Sequence, residues 1–187
     1  MKLDITMKIT PEMLDDAKRN ENKALEGHLG THFDAMDKEF PLEYTERTAV
    51  LFDVSGVSDR DIKIDDIDLD RVAENSFVLF YTGFADNEPY GSHRYFKEHP
   101  QLSVALIDAL LEKKVSMIGL DFAGIRRGKE HIPTDQRCAD KNVFIIENLC
   151  NLGAIVDLQG DIVIHTYPMR LVGQTGLPCR VIVEIKG

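Results

Sequence analysis

The sequence predicts one α/β domain over residues 1–187, with a mixed β-sheet and flanking helices. Three observations carry this. Short runs rich in Val, Ile and Phe recur along the chain. A stretch of helical period separates two of them. No repeat or low-complexity linker interrupts the order, and 187 residues suit one hydrophobic core.

The elements follow in order. "MKLDITMKI" alternates, with Leu3, Ile5, Met7 and Ile9 on one face, which predicts a half-buried strand. "TPEMLDDAKRN" predicts a short helix starting at Thr10, with Pro11 at its first position. Residues 21–46 are polar, contain glycine and lack a period, and long irregular segments tend to carry function. "TAVLFDV" (48–54) and "SFVLFYT" (76–82) are near-continuous apolar runs, the pattern of buried strands. "QLSVALIDALLEKK" has helical spacing at Val104, Ile107, Leu110 and Leu111. "VSMIGLD" (115–121) follows it as a strand, so strand, helix and strand predict a parallel crossover. "TDQRCADKN" (134–142) reads as a helix and "VFIIE" (143–147) as a buried strand. "DIVIHTYP" (161–168) and "CRVIVEI" (179–185) complete the sheet.

Composition narrows the partners. With 43% apolar and 29% charged residues the chain is of globular type. Its net charge of -10 disfavours nucleic acid and anionic membrane, both of which are bound by clustered Lys and Arg. No run approaches the ~18 apolar residues of a membrane span. "MKLDITMKIT" lacks the apolar core of a signal peptide, and three scattered cysteines suit a reducing cytoplasm. The expected partner is a small-molecule substrate.

The densest chemistry lies in "EGHLGTHFDAMDK" (26–38). Two of the six histidines fall here, and His28, Gly30, His32 and Asp34 share parity. Fully extended, His28 and His32 would stand roughly 13 Å apart at about 3.3 Å per residue, too far to meet on one ion. A regular helix would bring them together but turn Asp34 away. The chain must therefore bend, and Gly30 permits it. Three such ligands with an open position make the pattern of a catalytic metal site. A solvated loop is the plainer alternative for two histidines four apart.

"HLGTHFDA" resembles the HxGTHxDAP signature of the metal-dependent cyclase family, which includes kynurenine formamidase and isatin hydrolase. "YTGF" followed by "YFKEHPQLSVALIDALLEKKVSMIGLDFAGI", then "VFIIENL", then "MRLVGQTGLPCRVIVEI" resemble the same family in the same order. The resemblance runs roughly from Ala24 to Ile185 and implies a swivelling β/β/α-type domain, assembled as a homodimer or homotetramer. It implies His28, His32 and Asp34 as ligands of a divalent metal, Zn or Mn, with Glu147 of "IIENL" as a late carboxylate at the same site.

Two departures stand out. The signature normally continues DAPxH, its last histidine placed for proton transfer; here Met36 replaces the proline and Lys38 the histidine. The family also commonly has a ligand histidine about a dozen residues before that glutamate, near Asp135 here. The nearest is His131, sixteen residues before Glu147. Either His131 reaches the site, the preferred reading, or Asp135 substitutes.

A divalent ion so held lowers the pKa of bound water toward ~7 and polarises a carbonyl. That suits attack on an amide, formamide, lactam or ester, and with the resemblance the leading expectation is hydrolysis of a C–N bond in a small amide, formamide or cyclic amide. Glu147 is the first candidate base, with Asp37 and Lys38 as alternatives; Lys38 would need burial and metal charge to lower its pKa. Phe96, Tyr90 and Tyr95 would suit a planar substrate, although core packing is the commoner use of such aromatics. A metal-binding protein without turnover and a cysteine hydrolase using Cys138 are the competing classes.

Overall fold

The computed structural model describes residues 1–19 and 27–187. The start of the irregular segment, residues 20–26, lies outside the described residues. The strands are β1 (Lys2–Asp4), β2 (His32–Asp34), β3 (Glu46–Asp53), β4 (Phe77–Tyr81), β5 (Met117–Leu120), β6 (Phe144–Glu147), β7 (Asp161–Pro168) and β8 (Gly176–Lys186). They hydrogen-bond in the order β1-β8-β2-β6-β5-β4-β3-β7, and β8 also pairs with β7. The sheet therefore closes into a barrel of β2 to β8, with β1 extending it along β8. Strands β3 to β6 run parallel; β2, β7 and β8 join them antiparallel.

Alternation assigns each strand residue to one of two cores. Phe33, Leu51, Phe77, Leu79, Phe144 and Ile146 fill the barrel. Val78, Phe80, Ile118, Leu120 and Ile145 face outward and are covered by helices. Both faces of the parallel strands are dry, which is why their sequences are apolar without a break.

The helices are α1 (Pro11–Arg19), α2 (Phe84–Asn87), α3 (His93–Lys97), α4 (Val104–Glu112) and α5 (His131–Ala139). Pro11 opens α1 as expected. The Ser103 hydroxyl accepts the Leu106 amide and caps α4. Leu106, Ile107 and Leu110 form the buried face of α4. Val104 was expected on that face but is 47% exposed, because it belongs to the first turn and points past the sheet.

Three further boundaries differ from the sequence reading. The first strand ends at Asp4, although Ile5 is fully buried and Thr6 makes an isolated bridge to Leu149. The last strand begins at Gly176 rather than 179. Helix α5 starts at His131, not after Pro133. Proline at the third helical position is tolerated because the first four amides of a helix have no intrahelical acceptor. Among the described residues no helix is long and apolar enough to cross a membrane.

Candidate active site

Strand β2 exists because Phe33 plugs the barrel, fully buried against Phe40 and Phe144. Its neighbours His32 and Asp34 consequently point outward, toward the helices. Register supplies the next group: His32 pairs directly with Glu147 across the β2–β6 ladder. His32 Nε2 lies 3.6 Å from Glu147 Oε2 and 3.5 Å from Asp34 Oδ1.

His28 arrives through a bend. Gly30 has φ 68°, and a Cβ there would run into Ile9. The bend brings the His28 and His32 rings to 4.7 Å between centroids, with His28 Nε2 3.2 Å from Asp34 Oδ1. The loop is pinned by its backbone. Asn148 donates its side-chain amide to the Gly30 carbonyl at 2.9 Å and accepts from the Tyr95 hydroxyl at 3.0 Å. The same carbonyl accepts Nδ1–H of His32 at 2.8 Å. A carbonyl only accepts, so the proton sits on Nδ1 and the lone pair of Nε2 faces the cluster.

Helix α5 brings the last pair. His131 and Asp135 are one turn apart, so both face the barrel. His131 Nε2 is 3.1 Å from Asp135 Oδ2 and 3.6 Å from Glu147 Oε1. The alternatives left open by the sequence, His131 or Asp135, are thus both present. His131 is the first residue of a helix rather than part of a loop.

Ligand atoms of His28, His32 and Asp34 lie within 4.8 Å of one another, as do those of Asp34, His131 and Asp135. His32 Nε2, Asp34 Oδ2 and Asp135 Oδ1 are buried without a hydrogen-bond partner. Such orphaned atoms normally cost about 1–3 kcal/mol each. A cation held by His28, His32 and Asp34 would satisfy the first two of these atoms, and imidazole and carboxylate donors suit Zn or Mn alike. The residues fit a divalent metal.

Electrostatics agree with that fit. Burial raises the Asp34 carboxyl, but the imidazoles of His28 and His32 beside it outweigh that and hold the group well below the carboxylate range. Burial and the nearby Asp34 charge push Asp135 up to about 9. Burial lowers His131, against the opposing pull of Asp34.

The cluster lies in a cavity of about 810 Å³ lined also by Met36, Phe96, Lys97, His99 and Arg127. Of the aromatics singled out in the sequence, Phe96 lines this cavity, whereas Tyr90 and Tyr95 line a neighbouring one. His99, Arg127 and Asn148 are the residues sequence reasoning did not assign here. The "ENL" motif pointed at Asn148. Nothing local marked the others.

Lys38 and Asp37 lie elsewhere. Lys38 Nζ pairs with Asp140 at 3.0 Å and Asp37 at 3.2 Å, contacts that raise its pKa, opposite to what a base requires. Asp37 accepts from Gln136 at 2.7 Å and is held low by that bond and by Lys38. Their displacement follows from Met36, which has φ 54° and donates its N–H to Thr175 O at 3.1 Å. Proline could do neither. Cys138 is fully buried, and burial pushes its thiol up to about 12, so it does not supply a thiolate.

A family model, Cyclase, described as "Putative cyclase", matches residues 3–126. The chain belongs to the cyclase family. Solved structures share the fold of this cyclase-family chain. One, "The Structure Of Potential Metal-Dependent Hydrolase With Cyclase Activity", is 24% identical with TM-score 0.76, covering 100% of this chain and 98% of that one. Another, of a "predicted metal-dependent hydrolase from Bacillus stearothermophilus", is 24% identical with TM-score 0.71, over 98% and 97%. Isatin hydrolase A from Labrenzia aggregata, bound to benzyl benzoate, is 20% identical with TM-score 0.70, over 84% and 73%. Comparison with curated proteins finds no match.

Proposed function

We propose that this cyclase-family protein is a metal-dependent hydrolase that opens the C–N bond of a small amide, formamide or cyclic amide. The observation that carries the reading is the convergence of His28, His32, Asp34, His131, Asp135 and Glu147 around three orphaned buried atoms, beside a cavity large enough for a small molecule. His28, His32, Asp34 and His131 would hold the ion, Zn or Mn. When bound, such an ion supplies Lewis acidity toward a carbonyl and acidifies a coordinated water. Glu147, paired with His32 across the ladder and lining the cavity, would take and return the proton. His32 keeps its lone pair aimed at the cluster through its bond to Gly30 O. The two solved hydrolases and isatin hydrolase A support this reading by name.

The proposed setting is the cytoplasm, where the three free cysteines stay reduced, and the proposed assembly is a homodimer or homotetramer. A second reading, metal binding without turnover, is favoured by one observation: the lysine at the proton-transfer position of the signature pairs with acids instead. The test is to load the protein with zinc or manganese, confirm occupancy, and assay formamides, cyclic imides and aryl esters. Activity lost on chelation and in His32→Ala, but kept in Cys138→Ser, supports the hydrolase. Full occupancy with no turnover across the panel supports the second reading.

A further inference from the structure

Consecutive arginines at the end of the β5 loop have different fates. Arg126 is buried and spent: it donates to Asp61 at 2.6 Å, to Glu130 at 2.6 and 2.9 Å, and to the Leu102 carbonyl at 2.8 Å. Arg127 is half-buried on the cavity wall, and among the described residues no carboxylate reaches it. Its backbone N–H is tied to Gln101 Oε1 at 2.7 Å, and among the described residues its guanidinium donates only to the Lys97 carbonyl, at 3.4 Å. Lys97 lines the same cavity and likewise has no acid partner there. In a chain of net charge -10, acids outnumber bases 32 to 22, so two adjacent uncommitted cations are conspicuous. The acids that line this cavity, Asp34, Asp135 and Glu147, are gathered at its metal-binding end. Phe96, Ala123 and Ile132 supply apolar wall in the same cavity.

We propose that the substrate carries a carboxylate, bound by Arg127 with Lys97 beside it, while its amide reaches the metal-binding end. This rests on the hydrolase reading and narrows it to anionic amides. A guanidinium presents paired N–H donors that match a carboxylate, so Arg127 fixes orientation as well as charge. Lys97, exposed and on a flexible stem, adds attraction. A neutral amide of the same outline would leave both cations unpaired.

The test separates this claim from turnover. Zinc-loaded protein at low salt is titrated calorimetrically with 4-carbamoylbenzoate and with benzamide, which differ only in the carboxylate. Wild type is expected to bind the carboxylate at least tenfold more tightly. In Arg127→Gln, checked for zinc content and melting temperature, the ratio should fall to within about threefold of unity. Arg127→Lys should recover part of it. Equal binding of the two probes, binding of neither at millimolar concentration, or a preference that survives Arg127→Gln overturns the proposal. The last result would place the carboxylate on the metal. Because no outcome depends on hydrolysis, an inactive protein with an intact preference would sink only the hydrolase reading.

Discussion

Met36 shows how one residue redirects a motif. Its left-handed φ of 54° and its N–H bond to Thr175 O both exclude proline, so the chain leaves β2 on a path that gives Lys38 to Asp140. Met36→Pro should lower stability by about 3 kcal/mol or more, read from urea unfolding; a smaller loss would mean the loop readily adopts another path. His99 gives a second prediction at this scale. It donates Nδ1–H to Pro100 O at 2.7 Å and stacks on Phe122. Burial lowers its pKa from 6.5 to about 4, Pro100 opposing and Arg127 and His131 assisting. The folded state therefore binds fewer protons than the unfolded one between those values. This contribution to stability is held above pH 6.5 and lost as pH falls toward 4. The unfolding free energy of wild type minus that of His99→Gln should rise by about 2–3 kcal/mol from pH 4 to pH 7. A flat difference would show that His99 titrates normally.

At the scale of elements, the turn after β5 and the start of α5 are built against each other. Gly124 has φ 94°, and a Cβ there would stand 2.7 Å from the His131 ring. Gly124→Ala should push His131 off the cluster and weaken zinc binding about tenfold or more, measured against a competing chelator; unchanged affinity would remove His131 from the ligands. The same elements show what sequence reveals. Strands β3, β4 and β5 are legible because both faces are dry, and α4 because one face is. Strand β2 is not: it is three residues long, and only Phe33 is apolar. Barrel closure is not legible either, since β7 meets β3 and β8 through pairings that leave no local pattern. The grouping of His28, His32 and Asp34 could be read because seven positions and a glycine confine it. Glu147 depended on register, and the approach of His131 with Asp135 depended on where α5 begins. Arg127 and His99 became visible only when loops distant in sequence shared one cavity.

Across the whole molecule, three predictions concern what folding leaves unfinished. Leu42, Tyr167, Met169 and Val172 are 83%, 64%, 56% and 93% exposed around one groove, an apolar patch on an otherwise acidic protein. If a second copy covers it, Val172→Glu should shift the sedimentation coefficient toward the monomer; an unchanged distribution would place any interface elsewhere. The His/Asp/Glu cluster joins the bend at Gly30, strand β6 and helix α5, parts far apart in sequence, so an ion bound there only by the folded state should stabilise all three together. At a hundred times its dissociation constant it would add about 2.7 kcal/mol, several degrees in melting temperature for a chain of this size. Protons should move as well. Without the ion, burial and the Asp34 charge push the Asp135 carboxyl up to about 9, so it carries its proton at pH 7. A cation entering beside Asp135 favours the carboxylate and displaces that proton. Zinc added to metal-free protein should therefore release up to about one proton from this group at pH 7, less as pH rises through about 9. Calorimetry in buffers of different ionisation enthalpy reads the number directly. In Asp135→Asn the release at pH 7 should fall by about that proton. Equal release from both proteins would mean that Asp135 is already ionised before the ion arrives, and that the cluster tolerates its crowded acids by some means other than protonation.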